Sequence, residues 1–146
     1  MKLVAGIPDP REFSVDIRMD PRVPVPGKPV RLNFRLIDPK TGKIAKVQLM
    51  HEKLLHMFIV SSDLSYFAHE HPVLLKDGSF DFETRFPFPG EFRILCDFYP
   101  EAATPQMIAH SIYVPGEHVP AVLKPDVSEQ KGMNLLVRLR TEPPQP

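Results

Sequence analysis

The stretch Phe80-Asp-Phe-Glu-Thr-Arg-Phe86 decides the fold class of this chain. Its apolar and polar residues alternate with a period of two, so its phenylalanines share one face of an extended segment while its charged residues share the other. The turn Asp77-Gly78 precedes the stretch, and two prolines with Gly90 follow it. Because such residues begin and end strands, we predict a half-buried β-strand here.

Similar patterns recur on both sides of this strand. Phe13 to Met19 and Val30 to Leu36 each place apolar side chains at every second position. Leu54 to Val60 is apolar on both faces, as expected for a strand in the middle of a sheet, and further strands are predicted over 91–98 and 107–114. We therefore predict an all-β fold, an immunoglobulin-like or cupredoxin-like antiparallel sandwich of about seven strands.

The composition narrows the classes of function. The 146 residues fit one domain of ordinary size. Eighteen basic and eighteen acidic side chains cancel, so no overall field attracts nucleic acid or an anionic membrane. No stretch reaches the ~20 apolar residues of a transmembrane helix. We expect no nucleic-acid partner and no membrane insertion of this chain, and the single Cys96 cannot close an internal disulfide.

The C-terminal residues contain a short internal similarity. Val137 to Pro143 aligns with Val15 to Pro21, with three identities and the same alternation. We predict a β-sandwich domain over 1–120, followed over 121–146 by a linker and an extra strand. That strand is the start of a second, truncated repeat, an edge strand added to the first domain, or part of a disordered tail.

His69 and His71 are the strongest candidates for chemistry. On an extended segment both imidazoles lie on one face, at a spacing that can ligate a single metal ion. His56 and Met57 add a nitrogen and a thioether, and such a mixture suits copper better than calcium or magnesium. The predicted ligands are His56, His69, His71 and Met57, with copper as the expected ion and zinc as the alternative. The competing interpretation has no metal, because histidines near strand ends also hydrogen-bond the backbone and methionine commonly fills cores.

Three further donors are weaker candidates: Met107, His110 and Cys96. Residues 89–96 resemble the approach to the copper cysteine in cupredoxins, but no histidine follows Cys96 closely and His110 comes after Met107. A blue-copper centre needs a histidine and usually a methionine close to its cysteine, so we expect no electron-transfer site. Cys96 alternates with apolar residues, which favours an inert core thiol.

The chain carries no motif of a common enzyme class. The sequence lacks G-x-S-x-G, G-x-x-x-x-G-K-[ST] and H-E-x-x-H, and the spacing of His69 and His71 is not the i, i+4 spacing of a helical metalloprotease site. Cys96 has no evident activator on an apolar strand. We therefore predict that the protein is not an enzyme.

Residues 25 to 114 resemble the YtkA-like and related extracytoplasmic β-sandwich domains of bacteria. The segments that carry the resemblance follow in order along the chain: Gly27 to Val30, His56 to Ser65, Phe67 to Pro72, Asp77 to Phe80, Phe88 to Arg93, Asp97 to Pro100 and Thr104 to Gln106. The resemblance implies an immunoglobulin-like fold, a periplasmic or secreted location, and an association with copper or another heavy metal through His56, His69 and His71.

Two functions of different classes follow. The first is a metal-associated, non-catalytic accessory domain outside the cytoplasm. The second is a structural or interaction module without a metal, whose partners are other domains or envelope proteins. Neither function fixes the oligomeric state.

Overall fold

The computed structural model describes residues 9–124 and 129–138. Nine strands lie in the first range: β1 (Ser14–Asp20), β2 (Pro29–Ile37), β3 (Val47–Gln48), β4 (His56–Ser61), β5 (Phe67–Glu70), β6 (Val73–Leu74), β7 (Phe80–Arg85), β8 (Gly90–Pro100) and β9 (Gln106–Val114). Seven of these nine have four or more residues, so the prediction of an all-β sandwich of about seven strands is confirmed. Neither described range contains a helix of the length and apolarity that a bilayer span requires.

The nine strands form two antiparallel sheets. Sheet I has the order β1-β2-β7-β6. Sheet II has the order β3-β8-β4-β5. Strand β9 also pairs with β8, along the edge opposite the one that pairs with β4. In sheet II, Phe58 of β4 lies between Leu95 of β8 and His69 of β5. This register determines which side chains meet on each face of the sheet.

The hydrophobic core lies between the inner faces of the two sheets. Alternate residues of β2 and β8 are almost fully buried there: Val30, Leu32, Phe34, Leu36, Phe92, Ile94, Cys96 and Phe98. Burial of each large side chain contributes about 1.5 to 3 kcal/mol. Because one slip of register would turn this whole set outward, the core also fixes which residues face outward on each sheet.

A separate hairpin follows the sandwich. Strands β10 (Glu129–Lys131) and β11 (Leu136–Arg138) pair with each other, and their side chains are exposed. The repeat predicted over Val137 to Pro143 lies mostly outside the described residues. The domain boundary near residue 120 and the second repeat therefore stay predictions.

Candidate metal centre

Three imidazoles meet on the outer face of sheet II. His56 begins β4, His69 lies in β5, and His71 follows β5 directly. Because Phe58 is opposite His69, continuing the same antiparallel register places position 71 opposite His56. One ring nitrogen from each histidine lies within 4.8 Å of the other two. The structure therefore brings together the three histidines predicted as ligands.

The nitrogen separations fit a small metal ion. His56 Nδ1 lies 3.2 Å from His69 Nε2 and 3.2 Å from His71 Nε2. Zinc–imidazole bonds of about 2.0 to 2.1 Å at tetrahedral angles separate the donor nitrogens by about 3.4 Å. Two of the three donor pairs are thus nearly at ligand spacing, and the third pair, His69 with His71, lies within 4.8 Å.

A backbone carbonyl orients His56 for this role. His56 Nε2 lies 2.9 Å from the Met50 carbonyl oxygen. Because a carbonyl only accepts, Nε2 carries the proton and donates it to this bond, which leaves the lone pair of Nδ1 facing the other imidazoles. Metal-ligating histidines usually hold their second ring nitrogen in this way.

A strained turn presents that carbonyl. The Met50 N–H donates to the Lys53 carbonyl at 2.7 Å, and the Lys53 N–H donates back at 3.0 Å. The two residues between them, His51 and Glu52, have φ values of 46° and 67°. This left-handed geometry normally takes glycine or asparagine, and it is concentrated at functional sites when other residues adopt it. Sequence reasoning missed the turn because it contains neither glycine nor asparagine.

The three imidazoles differ in burial and support. His56 is buried, His71 is half-buried and His69 is exposed, so the cluster opens to solvent on one side. The His69 ring stacks on Phe58 with centroids 4.4 Å apart. Burial, and next the proximity of His56 and His69, lower the pKa of His71 below its usual 6.5. Both effects favour the neutral imidazole, which is the form that binds a metal.

The structure corrects two of the predicted donors. Met57 is adjacent to His56 in β4, but alternation turns its side chain to the opposite face, where it is fully buried in the core. Cys96 lies directly across from Met57 on the same inner face. Burial raises the pKa of the Cys96 thiol to about 12, and the side chain is fully buried on the core side of the sheet, away from the imidazoles. Met57 and Cys96 therefore do not reach the imidazoles.

Two weaker candidates lie on β9, away from the cluster. Met107 is opposite Asp97, which is in turn opposite His56. The donor nitrogens converge between β4 and β5, so β8, with Asp97 in the same cross-strand row, separates Met107 from the cluster. His110 is opposite the core residue Ile94 and is therefore on the inner side of an edge strand. The structure does not bring Met107 or His110 to the site.

The fold and the cluster define an immunoglobulin-like β-sandwich with a three-histidine candidate metal centre. Residues 12–116 match the model of a family described as a domain of unknown function, DUF8832, and the chain belongs to this family. No curated protein matches the chain. The solution structure of the PKD domain from the human VPS10 domain-containing receptor SorCS2 is similar at 16% identity and a TM-score of 0.42, over 82% of this chain and 85% of that chain. The resemblance to YtkA-like domains is not part of these matches and stays a prediction.

Proposed function

We propose that this domain is a non-catalytic, metal-binding accessory domain that works outside the cytoplasm. It holds one copper or zinc ion through His56 Nδ1, His69 Nε2 and His71 Nε2. The observation that carries this proposal is the pair of 3.2 Å separations between His56 Nδ1 and the Nε2 atoms of the other two histidines. These separations accompany a carbonyl that directs the His56 lone pair toward the same point.

The donor set favours particular ions. Three imidazoles without a thiolate or thioether suit Cu²⁺ and Zn²⁺, and imidazole sites generally bind Cu²⁺ more tightly than Zn²⁺. We therefore propose copper as the ion and zinc as the alternative. Three protein ligands leave a coordination position for water or for a donor from a partner. Such an open position suits transfer of the ion to another protein.

The proposed role and location rest on the sequence. The chain carries none of the catalytic motifs considered above, which supports a non-catalytic role. The periplasmic or secreted location is supported by the resemblance of residues 25 to 114 to extracytoplasmic YtkA-like domains. These domains are associated with heavy metals, particularly copper, which agrees with the proposed ion.

Calorimetric titration of metal-stripped protein with Cu²⁺ and Zn²⁺ tests this function. The wild type should bind one ion per chain, and His69→Ala and His71→Ala should each lose most of that affinity. His110→Ala is the matched control, because His110 is also an exposed histidine in sheet II but lies outside the cluster. Binding that survives both cluster variants, or that disappears equally in His110→Ala, would contradict the proposed site.

Competition between Cu²⁺ and Zn²⁺ for the metal-stripped protein would then show which ion the site prefers. Copper-loaded protein should show the electron paramagnetic resonance of Cu²⁺ bound by several nitrogens, without the intense blue colour of a copper–thiolate centre. An intensely blue sample would show that Cys96 reaches the ion and that the core placement of its thiol is wrong.

A further inference from the structure

The outer faces of the two sheets differ in chemistry. Sheet I presents mainly charged residues on its outer face: Asp16, Arg18, Asp20, Arg31, Arg35, Asp81, Glu83 and Arg85. On the outer face of sheet II, β8 presents Glu91, Arg93, Leu95 and Asp97 and the histidine cluster occupies one end, while the neighbouring strands add exposed or half-buried apolar and aromatic residues: Phe58, Val60, Phe67, Met107, Ala109 and Tyr113. A charged outer face is typical of a sheet in water, whereas a contiguous apolar face marks an interaction surface.

Large apolar side chains on this face lack cover among the described residues. Phe67 and Tyr113 are each 64% exposed and Met107 is 63% exposed. A groove of about 420 Å³ indents the face and is lined in part by Val60 and Leu95. The face therefore offers both protruding side chains and a depression that can receive them.

The charges on β8 are complementary to those of a second copy. Arg93, Leu95 and Asp97 follow one another on the outer face of β8. A two-fold axis can lie in the plane of the interface, perpendicular to β8 and above Leu95. Rotation about this axis exchanges the positions before and after Leu95. Arg93 then faces Asp97 of the partner subunit, and Asp97 faces Arg93 of the partner subunit. Within residues 9–124 and 129–138, neither side chain forms an ion pair.

The same axis also determines which cross-strand rows of sheet II face each other in the two subunits. Phe58 lies in the cross-strand row of Leu95, so each Phe58 meets its own copy. Val60 and Phe67 lie in the row of Arg93, so they face the row of Asp97 in the partner subunit, which contains His56 and His71 of the partner subunit. One symmetric arrangement therefore pairs opposite charges, brings the two Phe58 side chains together, and covers each histidine cluster with Val60 and Phe67 of the partner subunit.

We propose that the outer face of sheet II is the interface of a symmetric dimer of this chain, with Arg93 paired to Asp97 of the partner subunit. Four strands at about 4.8 Å spacing and about seven residues of 3.3 Å each give roughly 450 Å² of face per subunit. This is about half of the ~800 Å² per partner in a typical stable complex. The dimer is therefore weak, and it becomes populated at protein concentrations of roughly 100 μM and above. The dimer needs no bound metal, but it covers the proposed metal site of each subunit.

Sedimentation equilibrium over a concentration series tests the dimer, with a chelator present throughout so that metal bridging is excluded. The average mass of the wild type should rise toward twice the chain mass. Arg93→Asp and Asp97→Arg should each place like charges together and weaken association at least tenfold. The double variant, with the charges exchanged, should restore association to within a few-fold of the wild type.

Arg18→Asp is the matched control, because Arg18 lies on the charged outer face of sheet I, and it should associate as the wild type does. Circular dichroism melting shows whether each variant is folded, and Phe67→Glu supplies a second disruptive variant at an exposed position. A wild type that remains monomeric at all concentrations would overturn the proposal and assign the face to another protein. Association that is unchanged by either single charge reversal would also overturn the proposal. So would a folded double variant that does not regain association.

Discussion

Substitutions at Met57 and His69 should separate fold stability from metal binding. Met57 is fully buried in the core and His69 is exposed. Met57→Ala leaves a cavity between the sheets, and such changes cost about 2 to 5 kcal/mol. His69→Ala removes the stacking of an exposed ring on Phe58 and the contact of its Nε2 with His56 Nδ1, which together are worth about 1 to 2 kcal/mol.

The stabilisation gained from bound metal should depend on His69 and not on Met57. An ion at one hundred times its dissociation constant stabilises the folded state by about 2.7 kcal/mol. For a domain of this size that corresponds to a rise in Tm of roughly 10 °C. Met57→Ala should lower the Tm of the metal-free protein and keep the metal-induced rise. His69→Ala should keep the metal-free Tm within a few degrees and lose the rise.

Thermal melts followed by circular dichroism, with chelator and with increasing Cu²⁺ or Zn²⁺, measure both quantities. Met57→Leu is the control, because it removes the thioether, keeps most of the volume and should cost less than about 1.5 kcal/mol. Loss of the metal-induced rise in Met57→Leu would show that the thioether binds the ion and would refute the placement of Met57. Retention of the full rise in His69→Ala would refute the three-histidine site.

Three further predictions concern titratable groups. Because burial raises the pKa of Cys96 to about 12, a thiol reagent at pH 7 should label the native protein far more slowly than the unfolded protein, and equal rates would contradict the core placement. Hydrogen bonds hold the pKa of Asp63 well below its usual 3.8, and their leading donors are the Ala121 N–H and the Ser61 hydroxyl. The free energy of unfolding should therefore decline as the pH falls below 3.8. Urea unfolding between pH 2 and 5 should show a shallower decline in Asp63→Asn, and an unchanged decline would exclude Asp63 as its source. The pKa of His71 is lowered from 6.5, so the unfolded chain takes up this proton at a higher pH than the folded protein does. The metal-free protein should therefore lose stability below pH 6.5. Urea unfolding between pH 5 and 7 should show a smaller loss in His71→Ala.

The strands could be predicted because their side chains alternate with a period that the backbone imposes. Phe80 to Phe86 and Val30 to Leu36 each have one apolar face, so the pattern states both the structure and the buried side. Leu54 to Val60 is apolar on both faces. For that segment the period indicates a strand without showing which face is the core. Because Met57 follows His56 directly, only one of the two can face the other histidines, and the prediction of both as ligands is wrong for Met57.

The candidate site could be predicted only in part for a similar reason. The spacing of His69 and His71 places both imidazoles on one side of an extended chain, and this follows from local geometry. The approach of His56 depends on the pairing of β4 with β5, which the intervening loop and the core determine together. The carbonyl that orients His56 comes from a turn at His51 and Glu52 whose left-handed backbone has no sequence signal of its own.

The two apolar faces of β4 connect the metal site with the proposed dimer interface. A strand becomes apolar on both sides when both sides are covered, as in sheets buried between two layers. The inner face of β4 is covered by sheet I, and its outer residues Phe58 and Val60 remain half-buried within one subunit. A second subunit over these residues would account for their chemistry and would place Val60 of the partner subunit over His56. Under this cover the effective dielectric constant is lower than in water, which strengthens interactions between the ion and its ligands, and the ion enters or leaves while the subunits are apart.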